Sequence, residues 1–137
     1  MKLVADSNIL ISAFISDSTT RQLVKDLEAE IYAPDKLKEE VGKYDDLIQN
    51  KSNLTERELE HLKNRLFDHV NFIETERLEP YQGKASETIG NIDPDDAIFI
   101  AAALAINATI WSDDTDLQQQ DQVPILTTTE LLDLLER

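Results

Sequence analysis

The residues whose types and spacing best suit chemistry are aspartates at the two ends of the stretch 92–116, which reads IDPDDAIFIAAALAINATIWSDDTD. They are Asp93, Asp95 and Asp96 at the first end, and Asp113, Asp114 and Asp116 at the second. The residues between them are almost all apolar, which predicts a buried helix followed by a buried strand. Carboxylates in these places can hold a divalent metal ion, but they can equally cap a helix and fill a turn.

Two more acidic residues, Asp6 and Glu40, stand where similar chemistry is expected. Asp6 directly follows the apolar run 2–5, which predicts a buried strand, and a short helix is expected after it. By itself, Asp6 could simply cap the helix that begins near Asn8.

Glu40 lies on a predicted helix that Pro34 and Asp35 open, since proline suits the first helical turn and aspartate favours its positive end. The apolar residues of one face of this helix are Leu37, Val41, Tyr44 and Ile48. At ~100° per residue, Glu40 borders this face while Glu39 points roughly the opposite way. If one of this pair is functional, the periodicity selects Glu40.

Segments of strand type and helix type alternate along the chain. Strands are predicted at 2–5, 30–33, 70–74, 109–112 and 123–126. Helices are predicted at 9–14, 21–28, 34–48, 55–69 and 97–106, with a last helix after Thr127, while 78–91 predicts no more than a short helix. This alternation predicts an α/β fold with three α/β/α layers and a central parallel sheet of about five strands. The length of 137 residues suits one domain that spans 1–137.

Two helix starts carry the pattern of a capping box, in which a threonine and a glutamate three residues later exchange hydrogen bonds with each other's backbone. Thr55 and Glu58 form one pair, and Thr127 and Glu130 form the other. The two pairs fix the predicted starts of the fourth helix and of the last helix.

The acidic groups are expected to converge, because ligands bind at the carboxyl ends of the strands in open parallel sheets. Asp6 and the group 113–116 follow strands directly, and the helix start at Asp93 lies on the same edge. Carboxylates gathered at one place repel each other unless cations or protons intervene. With no cysteine and two histidines in the chain, the oxygen ligands favour Mg²⁺ or Mn²⁺. Such ions activate water, so the pattern predicts hydrolysis of a phosphodiester.

The structural alternatives are strong for each acidic group taken alone. Asp93 suits the N-cap of the apolar helix, and Asp95 and Asp96 suit its positive end. The group 113–116 suits a turn with side-chain bonds to its own backbone. Only the joint pattern favours a metal site.

The overall charge argues against a nucleic-acid ligand. The chain has 13 basic and 28 acidic residues and a net charge of −15, which repels nucleic acid at long range. The lack of cysteine fits a reducing compartment, and no apolar run suits a signal peptide or a membrane span. A cytoplasmic protein with no membrane partner is therefore expected.

Four segments resemble, in order and spacing, the PIN-domain nucleases. They are LVADSNIL at 3–10, KEEV at 38–41, DDAIFIAAAL at 95–104 and IWSDDTDL at 110–117. The resemblance covers nearly the whole chain and implies a metal-dependent ribonuclease that cleaves single-stranded or looped RNA to a 5′-phosphate and a 3′-hydroxyl. Because many members are toxins of toxin–antitoxin pairs, it also implies an antitoxin protein as a candidate partner and a homodimer as a common assembly.

The resemblance also implies a role for each acidic residue. The family's four principal acidic positions fall on Asp6, Glu40, Asp96 and Asp114. The residues implied to bind Mg²⁺ or Mn²⁺ are Asp6, Asp96 and Asp114, with Asp116 as an auxiliary ligand and Glu40 helping to hold the metal or orient the attacking water. Asn8 and Ser112 are implied to hydrogen-bond to these ligands, and Asp93, Asp95 and Asp113 to cap helices or support the ligands.

Two alternatives of other classes stay open. One is a PIN-like fold kept as an interaction or regulatory module with little activity. The other is an aspartyl-phosphate phosphatase or receiver-like protein with Asp6 as nucleophile. A phosphatase of the dehalogenase type would place a second aspartate two residues later, where this chain has Asn8.

Overall fold

The computed structural model describes residues 1–15, 19–89 and 94–135, and five parallel strands form its centre. The strands are β1 (Lys2–Ala5), β2 (Glu30–Pro34), β3 (Val70–Ile73), β4 (Thr109–Trp111) and β5 (Ile125–Leu126). Their order in the sheet is β3-β2-β1-β4-β5, and every neighbouring pair is parallel. The predicted fold class is confirmed, and β1 lies in the middle of the sheet.

Helices flank this sheet in two groups. The helices of the described chain are α1 (Ser7–Ile15), α2 (Thr19–Asp26), α3 (Leu37–Gly42), α4 (Asp45–Ser52), α5 (Glu56–Phe67), α6 (Glu79–Ile89), α7 (Ala97–Ile106) and α8 (Thr128–Leu135). Helices α2 to α5 contact α1, whereas α6 packs on α7, which lies against β1, β2 and β4. The chain steps outward from β1 to β3 and then returns to β4 through α6 and α7. Because parallel crossovers are right-handed, this reversal places the two groups on opposite faces.

The core is built around β1 and α7. Leu3, Val4 and Ala5 of β1 are completely buried, as are Ile110 and Trp111 of β4. Strands covered on both faces read as continuous apolar runs, which is what the sequence shows here. The body of α7 is rich in buried alanine, and these small side chains let its backbone lie close to the sheet.

Both predicted capping boxes are present. At the start of α5, the Glu58 N–H donates to Thr55 Oγ1 at 3.1 Å and the Thr55 N–H donates to Glu58 Oε1 at 3.0 Å. At the start of α8, the Thr127 and Glu130 pair makes the same two bonds, each at 3.1 Å. The local sequence pattern was sufficient to predict each capping box, because the donors and acceptors of one box lie within a single helical turn.

The prediction of one helix over 34–48 was wrong. Pro34 is the last residue of β2, and the segment then forms α3 and α4, which meet at a corner over Lys43 and Tyr44. Gly42, a weak helix former, ends α3, and Asp45 begins α4, where an acidic side chain suits the positive helix end. The corner turns Tyr44 away from the core, so that its side chain is 45% exposed instead of buried.

The segment 78–91 holds more helix than predicted. A 3₁₀ turn, Thr75–Leu78, leads into the 11-residue α6, and residues 90 and 91 lie outside the described chain. Pro80 is tolerated because it occupies the first helical turn. The apolar stripe that would have indicated the helix is thin, with Ala85 as its buried side chain among residues 79–87.

No helix within the described ranges is both long and apolar enough to cross a lipid bilayer.

Candidate functional site

Asp6 lies directly after the central strand, and its carboxylate is held at both oxygens. Oδ1 accepts the Ile9 backbone N–H at 3.0 Å, and Oδ2 accepts the Ser112 hydroxyl. The bond to Ile9 caps α1, so the structural role expected for Asp6 is realised. Asp6 is nevertheless 3% exposed, which leaves a carboxylate in the core of the molecule.

Burial raises the pKa of Asp6 above its usual value, because removal from water penalises the charged form. The hydrogen bonds from Ser112 and Ile9 act in the opposite direction, and the nearby carboxylates of Asp114 and Asp113 add to the rise. A positive charge brought close to Asp6 would lower its pKa, and so offset the effects of burial and of the neighbouring carboxylates.

Ser112 joins Asp6 to the turn that follows β4. Its buried hydroxyl donates to Asp6 and accepts the Asp114 backbone N–H at 3.0 Å. Asp114 Oδ1 in turn accepts the Asp116 backbone N–H at 2.8 Å, as expected for an aspartate that shapes a turn. One buried hydroxyl therefore fixes the positions of two of the predicted ligands relative to each other.

Asp113 is next to Asp114 in sequence but binds the start of α8 instead. Its carboxylate accepts the Thr128 backbone N–H at 2.7 Å and the Thr128 hydroxyl at 2.8 Å. These bonds anchor the first turn of α8, so Asp113 acts as a helix cap.

Glu40 lies in α3, and Ser7 lies in the first turn of α1. The Ser7 hydroxyl donates to Glu40 Oε2 at 2.8 Å, and Glu40 is half-buried. The choice of Glu40 over the exposed Glu39 stays a prediction as to function, but its position beside the start of α1 agrees with that choice.

Asp96 stands at the N-terminus of α7, yet its side chain makes no capping bond to that helix. Asp96 is half-buried, and its Oδ2 atom is hidden from solvent. Asp95 beside it is exposed, and Asp93 lies outside the described residues. Asp96 therefore does not fill the role of an ordinary helix cap.

These groups surround a cavity of about 200 Å³, here named the acidic cavity. Its lining residues are Asp6, Ser7, Asn8, Ile11, Glu40, Tyr44, Asp95, Asp96, Phe99 and Asp114. Five carboxylates and no lysine or arginine belong to this lining. Asp6 and Asp114 are more than a hundred residues apart in sequence. They meet here because they follow β1 and β4, which are neighbours in the sheet.

Not every residue of the predicted site lines the acidic cavity. Ser112 is fully buried beneath it, and Asp116 takes part through the bond of its backbone to Asp114. Over the ranges 1–15, 19–89 and 94–135, no three histidine, cysteine, aspartate or glutamate side chains stand close enough to form a ready-made chelate. The five carboxylates of the lining thus share one cavity without forming such a chelate.

The sequence reasoning missed five lining residues as site residues: the apolar Ile11 and Phe99, and three that carry a polar group, Ser7, Tyr44 and Asp95. Ser7 was passed over although it stands between Asp6 and Asn8 in the LVADSNIL segment, and Asp95 was assigned to the helix end. Tyr44 was assigned to the core because its spacing from Val41 and Ile48 is helical. Only the corner between α3 and α4 could have corrected this.

The sequence profile of the PIN domain matches residues 4–135. This chain belongs to the PIN domain family. Members of this family are nucleases, and the acidic cavity of this PIN domain lies at the sheet edge where an open parallel sheet binds its ligands.

A solved structure supports the fold of this PIN domain. The chain is similar to a chain in the crystal structure of VapBC2 from Rickettsia felis bound to a DNA fragment from their promoter. The TM-score is 0.65 at 16% sequence identity, covering 93% of this chain and 98% of that chain. No curated protein matches this PIN domain by sequence.

Proposed function

We propose that this PIN domain is a metal-dependent endoribonuclease that hydrolyses phosphodiester bonds in single-stranded or looped RNA. The observation that carries the proposal is the acidic cavity, in which five carboxylates from four separate segments meet without a basic residue in the lining. Carboxylate oxygens without histidine or cysteine suit Mg²⁺ or Mn²⁺. The donor set therefore fits the ions that phosphodiester hydrolysis uses.

Asp6, Asp96 and Asp114 are proposed to hold one or two of these ions. When bound, such an ion supplies an activated water and stabilises the leaving oxygen of the phosphodiester. Asp6 suits this task because Ser112 and Ile9 fix both of its oxygens, and such fixed ligands keep their geometry when the ion arrives. Asp116 would serve as an auxiliary ligand only if the turn after β4 carried its side chain toward the acidic cavity.

Glu40, which also lines the acidic cavity, is proposed to orient the attacking water. Its bond from Ser7 holds one oxygen, Oε2, and leaves Oε1 available for a water or an ion. Asn8 is exposed on the first turn of α1 and lines the acidic cavity, where its amide can hydrogen-bond to a ligand or to the phosphate. The products are a 5′-phosphate and a 3′-hydroxyl.

We also propose that this PIN domain is the toxin of a toxin–antitoxin pair, with an antitoxin protein as partner and a homodimer as its assembly in the cytoplasm. The family membership and the similarity to VapBC2, a complex crystallised with promoter DNA, support this. The net charge of −15 favours a partner with a basic surface.

The test is cleavage of labelled RNA by purified protein in Mg²⁺ or Mn²⁺, with one carboxylate removed at a time. Asp6→Asn, Asp96→Asn and Asp114→Asn are each expected to lower the rate by about 100-fold or more, the upper end of what loss of a mere supporting group costs. Asp26→Asn is the matched control, since Asp26 is an exposed residue at the end of α2. Full-rate cleavage by Asp6→Asn or Asp96→Asn would show that the assignment is wrong.

Thermal melting supplies a second readout that does not depend on activity. An ion that binds the folded chain alone raises its melting temperature by mass action. Millimolar Mn²⁺ is expected to raise the melting temperature of the wild type and of Asp26→Asn, but to have a much smaller effect on Asp114→Asn. Absence of both cleavage and a metal-dependent shift would favour the interaction module instead.

A further inference from the structure

Tyr44 presents an aromatic ring to solvent at the edge of the acidic cavity. It is 45% exposed and lines that cavity together with the carboxylates. The chain has four phenylalanines, three tyrosines and one tryptophan, which together make up 6% of its residues. Of the exposed large apolar side chains in the described residues, which include Tyr81, Leu134 and Leu135, Tyr44 is the one that lines the acidic cavity.

The fold uses the backbone of Tyr44 but has little use for its ring. The Tyr44 N–H donates to Val41 O at 3.0 Å, and its carbonyl accepts the Ile48 N–H at 2.9 Å, so the backbone forms the corner between α3 and α4. The aromatic pairs found in the described ranges join Phe14, Phe67 and Phe72 instead. Packing therefore gives no reason for an aromatic side chain at this exposed position.

We propose that Tyr44 is a stacking platform for a nucleobase of the substrate, next to the phosphate that enters the acidic cavity. The inference rests on the proposed function and adds the group that recognises single-stranded nucleic acid. Unpaired bases stack on exposed aromatic rings, whereas bases inside a duplex are already stacked on their neighbours. Tyr44 would thus select RNA whose bases are splayed apart.

The charge of the chain favours stacking over contacts to phosphate as the source of affinity. With 28 acidic and 13 basic residues, the chain offers few lysine and arginine contacts of the kind that usually bind a nucleic-acid backbone. Stacking is an uncharged interaction, so the surrounding carboxylates do not oppose it. The ring also lies close enough to these carboxylates to line the same cavity.

The space around the acidic cavity suits a substrate longer than one nucleotide. A second cavity of about 250 Å³ shares Glu40, Asp95 and Phe99 with it and continues to Lys36, Gln82 and Ser86. A strand that lies across both cavities would place one base against Tyr44 and direct its next nucleotides toward Lys36. Tyr44 then contacts the substrate base at one end of the two adjoining cavities.

The test measures binding of single-stranded RNA oligonucleotides that carry fluorescent 2-aminopurine at one position at a time. It uses the Asp96→Asn background with Mg²⁺, so that hydrolysis does not disturb the equilibrium. One labelled position is expected to be quenched on binding, and Tyr44→Ala is expected to weaken binding roughly 10- to 100-fold and abolish that quenching. Tyr44→Phe, which keeps the ring, is expected to bind like the parent.

Two controls separate stacking from a general structural effect. Tyr81→Ala removes another exposed tyrosine, which belongs to α6 and does not line the acidic cavity, so binding should not change. An oligonucleotide that is abasic at the quenched position has no base to stack on the ring, so Tyr44→Ala should no longer weaken its binding. Removal of the ring and removal of the base together form a double-mutant cycle. Equal losses with the normal and the abasic strand would overturn the proposal.

The result also distinguishes this proposal from the proposed function. If the wild type cleaves RNA and Tyr44→Ala leaves KM unchanged, stacking by Tyr44 is wrong while the nuclease function stands. If no variant cleaves RNA but the quenching still depends on Tyr44, the nuclease function is wrong and the stacking site stands. Loss of a dimer in Tyr44→Ala without a change in RNA binding would assign the ring to a protein interface and overturn the proposal.

Discussion

At the residue scale, Asp6 caps α1 and also presents a buried carboxylate to the acidic cavity. Burial raises the pKa of Asp6, although the capping bond from Ile9 acts in the opposite direction. A carboxylate that is costly to ionise in the folded chain is stabilised when a divalent cation binds next to it. The same residue can therefore weaken the free protein and strengthen the metal-bound one.

The first prediction concerns the stability of Asp6→Asn in a chelator. Because the folded-state pKa of Asp6 is raised, the folded protein keeps this proton to a higher pH than the unfolded protein does. The stability associated with the proton is lost as the pH rises through the folded-state pKa. Asparagine keeps the shape and carries no charge. Urea unfolding from about pH 4 to about pH 8 should therefore show Asp6→Asn gaining stability over the wild type as the pH rises.

The matched variant for this measurement is Asp26→Asn. Its free energy of unfolding relative to the wild type should not rise with pH as that of Asp6→Asn does. Added Mn²⁺ should then stabilise the wild type and leave Asp6→Asn nearly unchanged, so that the difference in their free energies of unfolding becomes smaller or changes sign. A difference in the free energy of unfolding between the wild type and Asp6→Asn that stays constant from about pH 4 to about pH 8 in chelator would contradict the cost assigned to the buried charge.

At the scale of elements, the turn after β4 separates two adjacent aspartates by function. Asp114 lines the acidic cavity, while Asp113 holds the start of α8 through Thr128. The indole N–H of Trp111 donates to the same Thr128 hydroxyl at 3.0 Å, which ties the helix start to the core. The turn thus positions a site residue and a helix at the same time.

The second prediction follows from this division. Asp113→Ala leaves the first backbone N–H of α8 without its acceptor, which should lower the free energy of unfolding by about 0.5 to 2 kcal/mol, the range for loss of a helix cap. The cleavage rate of the folded variant should stay close to that of the wild type. Chemical denaturation and RNA cleavage on the same preparation would check both, and a loss of cleavage as deep as in Asp114→Asn would contradict the assignment.

The corner between α3 and α4 shows how an element boundary decides the surroundings of a residue. A continuous helix would have buried Tyr44 on the face of Val41 and Ile48. The break at Lys43 and Tyr44 keeps Val41 and Ile48 in the core and turns the tyrosine out to the acidic cavity. Propensity alone does not fix such a corner, because packing against α1 rewards two short helices over one.

At the scale of the whole molecule, the charge of −15 predicts an unusual response to salt. A nuclease that binds RNA through many basic contacts loses roughly 10³-fold or more in affinity between about 50 and 200 mM salt. Here added monovalent salt also screens the repulsion between the acidic chain and RNA. The third prediction is therefore a change in kcat/KM of less than about tenfold over this range, measured at constant Mg²⁺.

Alanine substitution of Lys36 provides a check on this prediction, since it is the basic residue of the cavity that adjoins the acidic cavity. This substitution should lower the apparent affinity for RNA. The dependence of kcat/KM on salt concentration should stay shallow, as expected when one phosphate contact at most is lost. A steep slope in the wild type would mean that basic residues elsewhere on the chain carry the binding.

The sequence by itself determined the five strands in chain order, the parallel sheet and the family, although it joined α3 and α4 into one predicted helix. These features depend on apolar periodicity, on two local capping boxes and on motifs that span a few residues each, so no knowledge of distant contacts is needed. It also placed Asp6 and Asp114 at the same edge, because parallel neighbouring strands end together.

Only the tertiary structure decided which members of an acidic run face the acidic cavity. Asp113 and Asp114 are adjacent and chemically identical, and the position of Thr128 in the fold separates their roles. The exposure of Tyr44 and the join between Ser7 and Glu40 were likewise fixed by helices that meet in space. Local pattern encodes which elements form, but the direction of a side chain at a turn or corner depends on packing against segments far away in sequence.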